Sequence, residues 1–258
     1  MSRLRRMPRR RSYDQYCAAA RALDAVGDRW TLLIVRELLA GPRRYTDLHA
    51  DLPGVSTDVL ASRLKDMERD ELATRRRLPP PAAAYVYELT ERGRGLLPVL
   101  TALAEWGAPA LEERRPTDAV RAHWFAVPLL RALSGPVAAA GAAGVVEVRL
   151  DEGVFHVWLG SFVRIWPRQG AVLDPASPAR SEREALGDDE AVRDASRPGY
   201  GRPAYGDGPA PAPDACLTLD ADTCRALSTG ALTVADGVRG GRIEVTGEGT
   251  LAKVLRGA

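Results

Sequence analysis

The sequence predicts an α+β protein in two parts, and three observations support this fold class. Apolar residues recur at helical spacing over about residues 14–71, and two short segments that can extend follow them. Val146, Val148 and Leu150 alternate with Glu147 and Arg149, and a turn signal at Asp151-Glu152-Gly153 separates them from a second strand candidate, as in a β-hairpin. Residues 167–214 are rich in Pro, Gly, Asp and Arg and interrupt the ordered pattern of the second half.

Composition limits the class of protein. The chain has 258 residues, which suffices for two modest domains, and its hydrophobic content of 45% is ordinary for a globular protein. We expect a cytoplasmic protein without a membrane partner, because no apolar run approaches the roughly 20 residues of a bilayer span and no signal sequence is evident. The cysteines Cys17, Cys216 and Cys224 have no metal-ligand spacing, so we expect no metal and no cofactor.

Charge is distributed unevenly along the chain. Residues 1–115 carry 21 Lys and Arg against 16 Asp and Glu, whereas residues 116–258 carry 15 against 18. A basic surface suits the phosphates of a nucleic acid. Residues 1–12 contain six arginines and are predicted to form a disordered basic arm; the alternative is a solvated tail without a target.

The first half reads as helices followed by a ribbon. Predicted helices cover Asp14–Val26, Arg29–Ala40 with Asp28 as cap, Thr46–His49, and Thr57–Glu71 with Ser56 as cap and Val59, Leu60, Leu64 and Met67 inside. The predicted ribbon pairs Leu72–Leu78 with Ala84–Leu89 across Pro79-Pro80-Pro81, and a long helix from Glu91 to Arg115 follows. This order is that of a winged helix-turn-helix, and we assign it to residues 13–115.

The second half, residues 116–258, is predicted to form an α+β domain whose sheet is covered on one side. A mobile insertion is predicted at about residues 167–214. The predicted strands are Val145–Asp151, Val154–Leu159, Ser161–Trp166, Ala215–Asp220 and Gly241–Thr246, and the predicted helices are Trp124–Leu133, Ala221–Leu227 and Gly249–Leu255.

Several motifs of the first half resemble the HxlR family of bacterial winged helix-turn-helix regulators. They are Tyr16-Cys17, Val26-Gly27-Asp28-Arg29-Trp30, Arg44-Tyr45-Thr46-Asp47-Leu48, Gly54-Val55-Ser56, Tyr87-Glu88-Leu89-Thr90 and Trp106. The resemblance implies a DNA-binding regulator that acts as a homodimer. Two positions depart from the family: Ala18 replaces a proline, and Asp70 or Glu71 stands where a glycine is expected after the recognition helix.

The second half resembles a sterol carrier protein-like domain. The residues that carry this resemblance are Pro213–Asp220, Leu227–Gly230 and Gly241–Glu248. Domains of that kind enclose an apolar cavity between a sheet and its helices, so the resemblance implies a small hydrophobic effector.

Candidate DNA contacts lie on the fourth helix, the start of the third helix and the ribbon. Side chains on the outward face of a helix read base edges in the major groove, and ribbon arginines contact phosphate or enter the minor groove. Asp58 can only accept a hydrogen bond, so it would read a cytosine amino group or orient an arginine. The full candidate set is Arg43, Arg44, Tyr45, Thr46, Ser56, Thr57, Asp58, Ala61, Ser62, Arg63, Lys65, Arg75, Arg76 and Arg77.

Two further sets of residues carry weaker hypotheses. Cys17 occupies the position of the redox-sensing cysteine of several HxlR family members, and the alternative is a small buried core cysteine. An aromatic cluster is a candidate ligand pocket, with ordinary core packing as the alternative: Trp124, Phe125, Phe155, Trp158, Phe162 and Trp166.

These patterns favour a dimeric, sequence-specific transcriptional repressor that binds a double-stranded DNA operator and whose affinity a small apolar ligand modulates. No enzyme is predicted, since His49, His123 and His156 are scattered and no phosphate-binding glycine loop follows a strand. One alternative is a lipid or hydrophobic-metabolite carrier with only non-specific DNA binding. The other is a regulator that senses thiol oxidation through Cys17.

Overall fold

The computed structural model describes residues 12–79, 82, 84–111, 115, 117–160 and 204–257. Its contacts divide the chain into two compact units, residues 1–96 and 97–258. The domain boundaries assigned from the sequence, after residues 12 and 115, remain predictions. Residues 1–11 of the predicted arm and the predicted strand Ser161–Trp166 lie outside the described residues.

The helices of the first unit follow the predicted order. They are α1 (Ala18–Val26), α2 (Thr31–Leu39), α3 (Tyr45–Asp51), α4 (Thr57–Arg69) and α5 (Glu91–Arg94).

Helix α1 is shorter than predicted at its start, because Asp14 has a φ of 52° and cannot belong to a right-handed helix. The predicted cap of α2 is wrong: the helix begins at Thr31 rather than Arg29, and Trp30, not Asp28, is its N-cap residue. The N–H of Trp30 donates to Asp28 Oδ1 at 2.8 Å in the turn before the helix. Helical spacing predicts a buried stripe of Trp30, Leu33, Ile34 and Leu38. In the structure Ile34, Val35, Leu38 and Leu39 are buried, whereas Trp30 and Leu33 are only half-buried.

The end of α4 explains one departure from the family pattern. The N–H of Leu72 donates to the carbonyl of Met67 at 2.8 Å, and the N–H of Glu71 donates to that of Glu68 at 3.2 Å. These two bonds form a Schellman motif, whose residue after the cap adopts a left-handed conformation. Glu71 has a φ of 56°, so a glutamate takes the conformation that glycine adopts at lower cost.

A three-stranded antiparallel sheet forms the wing. Its strands are β1 (Arg43–Arg44), β2 (Ala73–Arg77) and β3 (Tyr85–Leu89), in the order β1-β3-β2. The predicted ribbon is therefore confirmed. Strand β1 was not predicted, since two residues are too few to show a period.

The single helix predicted over 91–115 is wrong. The structure has α5 and then α6 (Leu97–Gly107), with a short 3-10 helix from Ala108 to Leu111. Pro98 lacks the N–H that would bond the carbonyl of Arg94, and its ring would clash with that carbonyl. The chain therefore starts a new helix near the proline. Leu103 and Trp106 of α6 are 47% and 83% exposed.

The second unit combines helices with a mixed sheet. The sheet order is β6-β5-β4-β7-β8, and only the β4–β7 pair is parallel. Its remaining elements are a 3-10 helix at Ala122–Phe125, helices α7 (Ala126–Ala139), α8 (Ala221–Thr229), α9 (Val234–Arg239) and α10 (Thr250–Leu255), and strands β4 (Gly144–Leu150), β5 (Gly153–Leu159), β6 (Tyr205–Asp207), β7 (Ala215–Thr218) and β8 (Glu244–Thr246).

Strand β6 and helix α9 were not predicted from the sequence. Strand β6 falls inside the region 167–214, and Tyr205 is fully buried there. Residues 161–203 lie outside the described residues, so the insertion remains a prediction for that stretch.

The sheet is covered on both sides, against the prediction of one. Helix α7 packs against β5. On the other face, the N–H of Ala210 donates to Glu147 Oε2 at 2.9 Å, and His156 Nδ1 lies 3.0 Å from the carbonyl oxygen of Gly208. The segment after β6 therefore covers Glu147 and His156, which are 3% and 7% exposed. No described helix combines the length and apolar composition that a membrane span requires.

Candidate nucleic-acid interface

Helix α4 has one buried face and one polar face. Leu60, Leu64 and Met67 are at most 1% exposed and fix the helix to the core of the first unit. The opposite side carries the predicted base-contacting residues: Thr57, Asp58, Ser62 and Lys65 are exposed, and Ala61 and Arg63 are half-buried. The side chains that can donate to and accept from base edges are therefore free of the core.

Two hydrogen bonds hold the start of α4 in place. Ser56 Oγ accepts from the N–H of Val59 at 3.3 Å, which caps the helix. The hydroxyl of Tyr45 donates to the carbonyl of Thr57 at 2.8 Å and ties α3 to α4. Ser56 and Tyr45 were predicted as DNA contacts, and the structure gives both a role in positioning the helix.

The side chain of Arg63 forms ion pairs with two carboxylates. Its guanidinium lies 2.7 Å from Asp66 and 3.5 Å from Asp28, and its side chain is 28% exposed. The charge of Arg63 is thus largely balanced inside the unit. The bridge to Asp28 joins α4 to the residues before α2, a contact that helical periodicity cannot reveal.

The three wing arginines differ in their surroundings. Arg75 lies over the ring of Tyr85, 4.0 Å from its centroid. Arg76 makes two parallel bonds of 3.2 Å to Glu88. Within the described part of the chain, no hydrogen bond or ion pair holds the side chain of Arg77, which is exposed.

Side chains alternate along a strand, which predicts Arg75 and Arg77 on one face of the ribbon and Arg76 on the other. Arg75 contacts Tyr85 on one face of the ribbon, and Arg76 contacts Glu88 on the other. Burial raises the pKa of the Tyr87 phenol above its usual 10.0, an effect that Arg75 opposes, so Tyr87 stays neutral beside the arginine.

The start of α3 places a further basic group beside β3. The backbone N–H of Arg44 donates to Asp47 Oδ2 at 3.2 Å, while the Arg44 residue is exposed. Thr46 is exposed as well, and its hydroxyl donates to Asp47. Arg43 lies 4.0 Å from Asp51, so its charge is partly balanced.

Comparison with known proteins shows which family the helices and wing of the first unit resemble. Residues 25–115 match the family described as HxlR-like helix-turn-helix. The uncharacterized HTH-type transcriptional regulator YvaP of Bacillus subtilis is 36% identical over 86 residues, which are 33% of this chain and 80% of that protein. The chain belongs to the HxlR-like helix-turn-helix family.

Other relatives of the HxlR-like family give the same identification. The HTH-type transcriptional regulator YodB of Bacillus subtilis is 35% identical over 85 residues, 33% of this chain and 76% of that protein. The uncharacterized HTH-type transcriptional regulator sll1512 of Synechocystis is 36% identical over 97 residues, 38% of this chain and 72% of that protein. Residues beyond 115 lie outside the matched range, and their resemblance to a sterol carrier protein-like domain remains a prediction.

The structure places two of the predicted ligand-pocket residues of this HxlR-like protein, Phe155 and Trp158, on opposite faces of the sheet. Phe155 is fully buried in the core, while Trp158 lies on the other face of the sheet, 4.6 Å from the ring of His156. Trp124 and Phe125 are half-buried in the 3-10 helix before α7. Phe162 and Trp166 fall outside the described residues.

A groove of about 450 Å³ lies elsewhere in the second unit, between α6, α7 and the α8–α9 segment. Ala104, Ala132 and Leu232 give it apolar walls, and an ion pair of 2.8 Å between Arg131 and Glu105 lies at its side. None of the four described aromatic candidates lines this groove.

Two features of the interface escaped sequence reasoning. Val59, assigned to the inner face of α4, is 39% exposed. Glu88 pairs with Arg76. The register of β2 and β3 could have indicated this pair, because Thr74 lies directly opposite Glu88 and Arg76 is the diagonal neighbour of Glu88.

Cys17 is exposed at the start of α1, against the alternative of a buried core cysteine.

Proposed function

We propose that this protein is a sequence-specific, dimeric transcriptional repressor that places α4 in the major groove of an operator. The observation that carries the proposal is the exposed polar face of α4, held at its start by Ser56 and Tyr45. A major groove about 12 Å wide admits one helix, so this face would meet base edges while Arg75 and Arg77 of the wing meet the backbone.

A homodimer fits this reading because one helix makes too few base contacts for specificity. Two copies would read half-sites about one helical turn apart. Each unit exposes apolar side chains suited to such contact: Tyr16 and Leu23 at α1, and Leu103 and Trp106 on α6.

DNase footprinting on the promoter fragments of the encoding genome tests the proposal. The full chain is expected to protect a segment with two-fold symmetry, and the double variant Ser62→Ala, Lys65→Ala is expected to lose the protection while remaining folded. Arg225→Ala is the matched control, since Arg225 lies in the second unit and pairs with Asp222. No protected fragment, or equal binding to random DNA, would support a hydrophobic-ligand carrier instead.

A transcription measurement tests whether the protein is a repressor or an activator. Transcription from a promoter that carries the footprint is expected to rise when the gene is deleted and to fall again on complementation. A fall on deletion would make the protein an activator.

We further propose that a small apolar effector binds the second unit in the groove lined by Ala132. Its volume of about 450 Å³ falls within the usual range for small-molecule sites. Ala132→Trp is expected to abolish binding of the apolar dye 1-anilinonaphthalene-8-sulfonate, whereas Ala138→Trp, at an exposed position of the same helix, retains it. Equal dye binding by both variants would remove the groove as the site.

A second candidate function is thiol sensing, and the exposure of Cys17 favours it. Burial raises the pKa of the Cys224 thiol to about 12, so Cys224 stays protonated and unreactive. Loss of DNA binding after diamide treatment is expected to disappear in Cys17→Ser and to persist in Cys216→Ser. An unchanged response of Cys17→Ser would exclude this switch.

A further inference from the structure

We infer that Val59 is a specificity-determining residue that contacts the 5-methyl group of one thymine in each operator half-site. The inference rests on the proposed function, because it requires α4 to lie in the major groove.

Val59 is the one large apolar side chain of α4 that is not buried. It is 39% exposed, whereas Leu60 and Leu64 are fully buried. A step of about 100° per residue places Val59 next to Asp58 and on the same side as Ser62. Single exposed apolar residues are common on protein surfaces, so exposure alone does not indicate a binding residue. The position of Val59 within the polar face of α4 is what indicates one.

The side chain is held in a defined direction. Its backbone N–H is the group that Ser56 Oγ caps, at 3.3 Å, and the preceding turn is tied to α3 through Tyr45 and Thr57. A β-branched side chain in a helix strongly prefers one χ1 rotamer. The side chain of Val59 therefore has little conformational freedom to lose on binding.

The neighbouring charge favours contact with bases over contact with the backbone. The carboxylate of Asp58 is exposed beside Val59 and would be repelled by phosphate, so this end of α4 suits base edges. Valine has neither a donor nor an acceptor. Among the four standard bases only thymine presents a methyl group in the major groove, so thymine is the base that Val59 can select.

Uracil substitution isolates this contact. Each thymine of the footprinted operator is replaced in turn by deoxyuridine, which removes only the methyl group, and the Kd of the full chain is measured by fluorescence anisotropy. At one thymine per half-site the wild type is expected to lose about fourfold in affinity, equivalent to about 0.8 kcal/mol for one buried methyl. Val59→Ala is expected to lose a similar factor on the thymine operator and to show no uracil effect at that position.

The variants keep the fold intact. Alanine has a higher helix propensity than valine, so Val59→Ala leaves α4 stable. Val99→Ala, at an exposed valine of the second unit, is the matched control and is expected to keep the full uracil effect. Uracil effects that are the same in wild type and Val59→Ala, or absent at every thymine, would overturn the inference while the footprint and the proposed function stand. An absent footprint would overturn both.

Discussion

The pairing of Arg76 with Glu88 leads to an unusual expectation: removing a carboxylate from the wing should tighten DNA binding. The two side chains share two bonds of 3.2 Å, and they are 46% and 23% exposed. In that geometry Arg76 is neutralised before DNA arrives. Glu88→Gln keeps the shape of the side chain and releases the guanidinium for a phosphate.

The magnitude follows from two effects. Removing one negative charge about 7 Å from a phosphate is worth about 0.6 kcal/mol in water, or roughly threefold in Kd. A newly engaged arginine adds about 0.9 to the slope of log Kd against log salt concentration. The cost in stability is small, because a surface ion pair contributes only about 0–1 kcal/mol.

Fluorescence anisotropy with the operator, from about 50 to 200 mM salt, measures both quantities. Arg77→Gln is the matched control and should lower the slope by about 0.9, since Arg77 has no described partner to compensate. Arg76→Gln should change the slope less than Arg77→Gln does. If Glu88→Gln leaves both the Kd and the slope unchanged, the assignment of Arg76 as a neutralised arginine is refuted.

Three further changes test the local structure. Glu71→Gly should stabilise the first unit by about 1 kcal/mol in urea unfolding, because glycine adopts a positive φ without the steric cost that Glu71 carries. Ser56→Ala should lower the free energy of unfolding by about 1 kcal/mol and weaken operator binding, since it removes the cap of α4. Gly206→Ala should destabilise the second unit in a thermal melt, because a Cβ there would lie 2.4 Å from the ring of His156.

Each of these changes has a control that the chain supplies. Gly208→Ala is the control for Gly206→Ala. Nothing lies within 4 Å of a Cβ added at residue 208, so that variant measures only the backbone strain of alanine at a φ of 81°, without the clash expected at Gly206. A smaller loss in Gly206→Ala than in Gly208→Ala would contradict the close packing of His156. If Glu71→Gly is no more stable than Glu71→Ala, the left-handed conformation at residue 71 carries no cost. If Ser56→Ala is as stable as Ser56→Thr, the hydroxyl at residue 56 does not stabilise α4 as a cap.

The sequence predicted features that depend on neighbours along the chain. The cap at Ser56, the turn after Val26 and the alternation of the wing arginines follow from local steric and hydrogen-bonding rules, and all appear in the structure. The winged order of the first unit followed from the same signals together with the resemblance of its motifs.

Features that depend on distant neighbours were missed. Arg63 meets Asp28 from another part of the chain, and β6 joins its sheet from a region of low apolar content. The carboxylate of Glu147 looked exposed by alternation, but a backbone N–H 63 residues away buries it. Such contacts are set by tertiary packing, which no periodicity in one segment encodes.

The placement of α4 in the major groove is the central claim, and dimethyl sulfate interference tests it directly. The reagent methylates guanine N7 in the major groove and adenine N3 in the minor groove, the two edges that distinguish the grooves. Guanine N7 methylation at two clusters about one helical turn apart is expected to block binding of the full chain. Interference confined to adenine N3, or none at the guanines of the protected segment, would contradict the account.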